Sequence, residues 1–346
     1  MELKAAILYE AGQPLQVEEV DLGAPRAGEV LVRVAAAGVC HSDYHYMRGD
    51  LEMSLPAVLG HEGAGVVEEV GPGVTSVQPG DHVVLLWRAG CGRCAYCGTG
   101  RPALCPWGLQ LRNTGRMPDG TSRLSRQGVE LTHFLGVSCF AEAAVCAEQS
   151  LLKIPDDVPL AIAALAGCSV MTGVGAAVNS ARVEPGSSVL VLGGGGVGLC
   201  AVMGARLCGA AQIVVADLNP RKLELAREFG ATDVVDASSE DVVVTARRLS
   251  GAGVDYAFEA IGRADTVTQT VRAVRAGGMA VVIGVAPAAA RAEISPFDLV
   301  LQEKTLKGSI YGSTRPQTDF PRLFELYRRG GCRWTACSRA TIPWSA

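Results

Sequence analysis

The stretch Ser188–Gly198, which reads SVLVLGGGGVG, decides the fold of the second half of this chain. An apolar run typical of a buried strand passes directly into a glycine-rich turn and then into the helical sequence 199–208. A second strand-like run, 212–216, ends at Asp217, about 20 residues beyond the turn. Strand, glycine turn, helix and acidic strand end together predict a doubly wound parallel sheet that binds a dinucleotide.

Each glycine of the turn has a separate physical task. Gly193 permits the tight turn, Gly195 lets a pyrophosphate approach the helix N-terminus, and Gly198 lets helix and strand pack closely. The predicted cofactor-binding residues of this turn are Gly193, Gly195, Gly196, Val197 and Gly198.

Asp217 predicts which dinucleotide binds. Its carboxylate would accept hydrogen bonds from the adenosine ribose and repel a 2′-phosphate, so NAD is favoured over NADP, with Lys222 assisting from the following helix. The alternative is that Asp217 caps the helix that begins near Pro220.

The first half of the chain has a different character. Residues 1 to about 150 are rich in Val, Gly and Pro and predict short strands separated by turns such as 71–73 and 79–81. A chain of 346 residues exceeds the size of a single core. We therefore expect an irregular β domain over 1–153, a dinucleotide-binding domain over 154–310 and a terminal segment over 311–346.

Cys40 and His61 are presented from two separate turns and suit a catalytic zinc ion. Such an ion takes three protein ligands and keeps one position open, and Cys168, in a glycine-flanked turn, is the candidate for the third. Taken singly, each cysteine could instead be a buried apolar thiol.

Four further thiols, Cys91, Cys94, Cys97 and Cys105, are spaced by three, three and eight residues. Four thiolates on one loop close tetrahedrally around zinc and leave no position for substrate, which predicts a structural site. A redox cysteine pair and an iron–sulfur site are the alternatives.

The sequences Gly38–Asp43, Gly60–Gly63 and Gly167–Gly173 resemble the zinc-dependent medium-chain alcohol dehydrogenases, and the resemblance extends over residues 1 to about 331. It implies a GroES-like catalytic domain, a Rossmann domain, two zinc ions per chain and hydride transfer between an alcohol and NAD. Rival interpretations are a polyol dehydrogenase, a zinc-free quinone reductase and a non-enzymatic or defective dinucleotide-binding product.

The resemblance also implies roles for individual residues. Asp43 orients His61, Glu62 lies behind the metal, and Trp87 lines the substrate channel. The proton relay and the pyrophosphate contact are implied for three residues of one segment: Ser42 as the hydroxyl relay, His45 at its solvent end, and His41 at the pyrophosphate. Ser42 and Asp43 could instead cap a turn, and His45 could be merely exposed.

Substrate preference depends on the segment after Cys105. The segment 114–139 resembles the long loop of the liver-type and glutathione-dependent formaldehyde dehydrogenase branches. Counted without gaps from Cys105, however, Leu109 occupies the position where the latter branch has an arginine for the glutathione carboxylate. With Trp87 narrowing the pocket, we expect small or slender primary alcohols rather than S-hydroxymethyl-glutathione.

Composition limits the possible partners. The net charge of −4 argues against nucleic acid or an anionic membrane surface. The N-terminus lacks the pattern of a signal peptide, and the long apolar runs 159–181 and 185–205 are interspersed with Gly, Ser, Thr or Asn, which favours buried elements over membrane spans. We expect a cytoplasmic homodimer or homotetramer.

The segment 331–346 shows neither strand alternation nor helical periodicity. The resemblance stops there, after a predicted helix over 319–329. Back-translation with a shift of two bases can restore a family-like continuation, so we expect a frameshift in this tail. A divergent native tail is the alternative.

Overall fold

The computed structural model describes residues 1–331 and 334–337. Contacts divide the described residues into two units: the first comprises 1–168, 315–330 and 334–337, and the second comprises 169–314 and 331. The first unit thus extends beyond the predicted boundary at 153, because the helix over 160–165 packs on the strands of that unit. The chain also returns to the first unit after residue 314, within the segment predicted as 311–346.

The first unit is built from short strands, as predicted. Its strands are β1 (Glu2–Leu8), β2 (Gln16–Leu22), β3 (Glu29–Gly38), β4 (Ala57–Val58), β5 (Glu62–Val70), β6 (His82–Leu85), β7 (Leu124–Arg126), β8 (Val129–Glu130), β9 (Thr132–His133), β10 (Ala143–Ala147) and β11 (Leu151–Lys153). Its helices are α1 (His41–Arg48), α2 (Ala95–Gly98), α3 (Pro106–Thr114), α4 (Leu160–Leu165) and α11 (Pro316–Arg328).

Two sheets organise these strands. One has the order β8-β7-β2-β1-β4-β9, and the other has the order β10-β3-β5-β6-β11. The long antiparallel pair β3 and β5 extends from Val30 opposite Val70 to Gly38 opposite Glu62, with two shifts of register between these ends. This register brings the end of β3, just before Cys40, beside the start of β5, just after His61. The site is therefore placed at one end of a strand pair.

The second unit carries one parallel sheet with the order β14-β13-β12-β15-β16-β17. Its strands are β12 (Ser188–Leu192), β13 (Gln212–Asp217), β14 (Asp233–Asp236), β15 (Val254–Glu259), β16 (Val274–Val282) and β17 (Thr305–Gly308). Its helices are α5 (Met171–Gly175), α6 (Gly196–Leu207), α7 (Pro220–Phe229), α8 (Val242–Ser250), α9 (Ala264–Ala273) and α10 (Pro296–Leu301). The strands β12 and β13 are almost wholly apolar and buried, as expected where both faces of a parallel sheet are covered. The doubly wound fold predicted from 188–217 is confirmed.

One helical run, Leu160–Ala181, is long and apolar enough to cross a membrane by length and composition, and 67% of its most apolar stretch is buried inside the protein. The core helix of a protein meets the same criteria, so this run is weak evidence for a span. Two π-helical turns, Ala166–Val170 and Ala176–Ala181, interrupt it.

The last long helix begins earlier than predicted. It starts at Pro316, after Arg315 donates its backbone N–H to Asp319 Oδ2 at 2.8 Å. Pro321 consequently lies inside the helix. Of the tail predicted to be frameshifted, residues 332–333 and 338–346 lie outside the described residues, and a short 3₁₀ turn over Trp334–Cys337 is described.

Candidate active site, structural metal site and dinucleotide loop

The structure brings the three predicted catalytic zinc ligands together and adds a fourth group. Cys40 precedes α1, His61 precedes β5, and Cys168 lies in the π-helical turn after α4. Their ligand atoms and a carboxylate oxygen of Glu62 all lie within 4.8 Å of one another. Two thiols and one imidazole form a set that suits catalytic zinc.

Asp43 connects the two turns that carry Cys40 and His61. It is fully buried and accepts hydrogen bonds from the backbone N–H groups of Cys40 at 3.0 Å and Gly60 at 3.2 Å. His61 Nδ1 lies 3.1 Å from Asp43 Oδ1, so it donates to that carboxylate. The other ring nitrogen, Nε2, is thereby left available as an acceptor that could bind a metal ion.

The electrostatics of the cluster differ between its two thiols, because the hydrogen bond to Cys40 and burial raise the pKa of Cys168 well above its ordinary value, whereas the pKa of Cys40 is lowered. The hydrogen bond from Cys168 holds the pKa of Cys40 well below its ordinary value, and the charge of His61 lowers it further. Burial acts in the opposite direction but does not outweigh them. Burial acts against protonation of His61, but the charges of Asp43 and Cys40 outweigh it and raise its pKa. Because the thiolate is the ligating form of cysteine, a cysteine with a lowered pKa is already prepared to bind metal.

Glu62, predicted to lie behind the metal, has a carboxylate oxygen within the same cluster as Cys40, His61 and Cys168. Its carboxyl is 2% exposed, and among the described residues its Oε1 atom has no hydrogen-bond partner. Burial and the nearby Cys40 raise the pKa of Glu62 well above its ordinary value. A buried acceptor without a partner fits a cation in the same cluster.

The sequence analysis missed Gly38, which makes room for this carboxyl. A Cβ atom on Gly38 would lie 2.3 Å from Glu62 Oε2. Gly38 lies two residues before the metal-ligand candidate Cys40, and this position was the only hint in the sequence. The pairing of β3 with β5 shows that the residue opposite Gly38 is Glu62.

The predicted relay residues share helix α1. Ser42 is half-buried, and His45 Nδ1 lies 3.0 Å from Asp50 Oδ2. His41 is exposed, and its ring centroid lies 4.7 Å from that of His45. Asp50 was not anticipated. Its carboxylate holds one ring nitrogen of His45, which fixes the orientation of the imidazole.

Aromatic rings surround His61. The Trp87 ring lies edge-on at 6.0 Å between centroids, and the Phe134 ring lies at 5.7 Å. Leu109 is half-buried on α3. One turn further on, Arg112 lines a cavity of about 190 Å³ together with Glu52.

The four loop cysteines form the second cluster, with sulfur atoms all within 4.8 Å. The Cys91 backbone N–H lies 3.3 Å from Cys105 Sγ, and the sulfur atoms of Cys94 and Cys105 are 3.7 Å apart. A hydrogen bond from the Arg93 backbone lowers the pKa of Cys91 to about 6. Four converging sulfur atoms fit a closed tetrahedral zinc site.

The glycine-rich turn has the geometry that its sequence predicts. A Cβ atom on Gly198 would lie 1.8 Å from Gly193 O, so helix α6 can approach β12 only without that atom. Gly195 begins the helix with φ −78° and ψ −177°, and a Cβ there would meet no described atom within 4 Å. Gly195 and Val197 are half-buried and Gly196 is exposed, so these backbone groups remain accessible.

Asp217 lies at the end of β13 and touches the turn directly. Its Oδ2 accepts the Gly194 N–H at 2.8 Å and lies 3.5 Å from Lys222 Nζ. The helix α7 is capped by Asn219, whose side chain accepts from the Arg221 N–H, so Asp217 is not the N-cap. The acidic residue and the turn form one unit.

A buried carboxylate beneath the turn escaped the sequence analysis. Glu259 is fully buried at the end of β15, and its Oε1 accepts from the Ile261 N–H at 3.0 Å, the Gly262 N–H at 2.8 Å and Thr266 Oγ1 at 2.7 Å. A Cβ on Gly193 would lie 2.8 Å from Ile261 Cγ1. Glu259 therefore anchors the loop on which the glycine turn rests.

Comparison with known proteins identifies the family. The alcohol dehydrogenase GroES-like domain matches residues 26–156, and the zinc-binding dehydrogenase family matches residues 196–329. The chain is 44% identical to an S-(hydroxymethyl)glutathione dehydrogenase of a Synechocystis species, over 95% of this chain and 90% of the relative. An S-(hydroxymethyl)glutathione dehydrogenase of Escherichia coli is 42% identical over the same shares.

Solved structures agree with these matches. An alcohol dehydrogenase zinc-binding domain protein from Burkholderia ambifaria superimposes with a TM-score of 0.93 at 40% identity, over 97% of this chain and 91% of that one. The benzyl alcohol dehydrogenase of Acinetobacter calcoaceticus gives 0.93 at 35% identity over the same shares. Fold, metal-ligand clusters and relatives therefore agree that this chain belongs to the zinc-dependent medium-chain alcohol dehydrogenases, NAD-dependent oxidoreductases, in their formaldehyde-dehydrogenase-like branch.

Proposed function

We propose that this enzyme interconverts small or slender primary alcohols and their aldehydes, at a catalytic zinc centre held by Cys40, His61 and Cys168. The observation that carries the proposal is the convergence of two thiols, one imidazole and one carboxyl within 4.8 Å. Bound there, zinc supplies a Lewis acid that lowers the pKa of an alcohol hydroxyl, and NAD accepts the hydride.

The protein's own residues prepare this chemistry. Asp43 keeps Nδ1 of His61 protonated and its ring fixed, which raises the basicity of the ligating nitrogen. Ser42 takes the proton of the substrate hydroxyl and His45 passes it to solvent. The two residues are one turn apart on α1, and Asp50 holds the imidazole at 3.0 Å.

Cofactor selection is assigned to Asp217, with Lys222 beside it and His41 at the pyrophosphate. The role assigned to Asp217 is supported by its position at the end of β13 and by the hydrogen bond that its carboxylate accepts from the Gly194 N–H. The negative charge of the carboxylate is thereby held beside the glycine turn. That charge repels the 2′-phosphate of NADP. The second metal cluster, Cys91, Cys94, Cys97 and Cys105, is assigned to a structural zinc ion.

The substrate proposal depends on two residues. Trp87 lies 6.0 Å from the His61 ring and limits the width of the pocket, and Leu109 offers no charge for a carboxylate. The relatives named S-(hydroxymethyl)glutathione dehydrogenase define the competing substrate. Cellular placement in the cytoplasm and assembly as a homodimer or homotetramer belong to the same proposal.

A substrate panel tests the assignment. Purified enzyme with NAD is offered ethanol, butanol, benzyl alcohol and S-hydroxymethyl-glutathione, and NADH formation is recorded as kcat/KM. We expect the alcohols to exceed the glutathione adduct, and Trp87→Ala to favour benzyl alcohol because only pocket volume changes. A wild-type preference for the adduct would overturn the substrate assignment and leave the zinc chemistry intact.

A further inference from the structure

Trp334 is a buried tryptophan in a stretch of sequence that predicts no regular structure. Its side chain is fully buried, and its ring centroid lies 4.8 Å from Tyr327 and 6.3 Å from Phe324, both on α11. Complete burial of so large an aromatic side chain is a substantial packing contribution to the stability of a core. The segment after α11 is therefore part of the packed first unit at this point.

The indole also makes a directed bond to a second helix. Its Nε1–H donates to the backbone carbonyl of Ile162 at 3.1 Å. Ile162 lies in α4, and Arg328 of α11 forms an ion pair with Asp157, just before that helix. Together the two contacts join α11 and the turn that follows it to α4 and the residues that precede it.

Helix α4 leads directly to a proposed zinc ligand. It ends at Leu165, and the π-helical turn Ala166–Val170 that follows carries Cys168. Isolated π-helical turns are uncommon and depend on their surroundings, because a regular α-helix is the lower-energy path for most sequences. The Ile162 carbonyl, near this change of helix type, is the group to which Trp334 donates.

Helix α4 also packs on the sheet that contains β3 and β5. Ala163 and Ala164 are at most 1% exposed, and Leu165 Cδ2 lies 3.2 Å from the position of a Cβ on Gly38. Gly167 passes so close to the sheet that a Cβ on it would lie 2.9 Å from Leu85 O. Helix α4 thus packs against the strands of the first unit and is also bound by Trp334 through the Ile162 carbonyl.

We propose that Trp334 is a positioning residue for Cys168, holding α4 so that the thiolate stays within reach of Cys40 and His61. The proposal rests on the catalytic zinc assignment made above. It predicts that loss of the indole N–H speeds release of the catalytic zinc ion and leaves the zinc ion of the four loop cysteines in place. Residues that orient a metal ligand typically change metal affinity by about 10- to 100-fold.

The test measures the rate at which the full-length, zinc-loaded enzyme releases zinc to a colorimetric chelator. Trp334→Phe removes the N–H and keeps an aromatic ring, and Trp334→Leu is the harsher variant. Trp107→Phe is the matched control, because Trp107 is a half-buried tryptophan on α3, two residues after the loop cysteine Cys105. We expect one of two zinc ions to leave about tenfold faster in Trp334→Phe and at the wild-type rate in Trp107→Phe.

Two outcomes overturn the proposal. If Trp334→Phe accelerates the release of both zinc ions equally, Trp334 only stabilises the fold. If both ions leave at the wild-type rate, whether or not the Tm is lowered, Trp334 does not position Cys168. Cys168→Ser separates this result from the zinc assignment itself. If Cys168→Ser still holds two zinc ions, the ligand assignment fails; if it holds one, adding Trp334→Phe is expected to leave release of that ion unchanged.

Discussion

Gly198 and Gly195 belong to one glycine turn, but the same substitution is expected to act on different properties at the two positions. Alanine at 198 should lower stability, and alanine at 195 should weaken cofactor binding. In Gly198→Ala the new Cβ would lie 1.8 Å from Gly193 O, whereas ordinary contact begins near 3.4 Å. The start of helix α6 and the backbone at Gly193 must therefore move apart by about 1.6 Å. Overpacking of this kind costs about 1–3 kcal/mol, and a carbonyl on the backbone cannot rotate away. We expect destabilisation near the upper end, about 3 kcal/mol.

Gly195→Ala introduces the same methyl group where no described atom lies within 4 Å. The backbone at Gly195 is extended, which alanine adopts readily, so stability should change by less than about 0.5 kcal/mol. The methyl group would instead stand where the pyrophosphate approaches the helix. A loss of about 1.4–3 kcal/mol in binding corresponds to a Kd for NADH that is roughly 10- to 100-fold weaker.

Two measurements separate these effects. Urea unfolding of the purified, zinc-loaded variants gives the stability change, and fluorescence titration with NADH at a temperature where each variant is folded gives Kd. Wild-type affinity in Gly195→Ala would show that the pyrophosphate does not approach this residue, and wild-type stability in Gly198→Ala would show that helix α6 and the turn separate without cost. Lower stability in Gly195→Ala would equally contradict the open space around that residue.

Three further predictions follow from the site and its surroundings. Asp217→Ala should narrow the ratio of kcat/KM between NAD and NADP by removing a repelling charge, and an unchanged ratio would sink that assignment. Cys105→Ser should lower both zinc content and Tm, because a structural zinc ion contributes folding free energy, whereas Cys40→Ser should abolish turnover and keep most of the fold; metal analysis and melting curves check both. Burial and then the charge of Arg123 lower the pKa of the fully buried His133 to about 4, below the ordinary 6.5 or so. The unfolded chain therefore binds a proton that the folded chain does not, and stability is lost as pH falls from about 6.5 to 4, by about 1.4 kcal/mol per unit. Urea unfolding of His133→Phe across this range should show a shallower acid dependence than wild type, and equal slopes would contradict the buried neutral imidazole.

Sequence alone was sufficient for the features that depend on local chemistry. A strand, a glycine turn and a helix are adjacent in the chain, so the spacing 188–217 predicted the parallel sheet and the dinucleotide turn. The four loop cysteines are also local, because residues three and eight positions apart can converge without help from the rest of the fold. The position of Asp217 at the end of the second strand was predicted for the same reason, because it follows directly from the local sequence pattern.

Tertiary structure decided what depends on distant segments meeting. Cys168 was a candidate ligand from the sequence, but it lies far along the chain from Cys40, and the packing of α4 on β3 and β5 is what brings the two sulfur atoms into one cluster. Glu62 joins that site because the strand register places Gly38, which lacks a side chain, opposite it. The burial of Trp334 was invisible for a related reason: a single residue in an aperiodic segment carries no pattern, and its role arises from the tertiary contacts that it makes with α4 and α11.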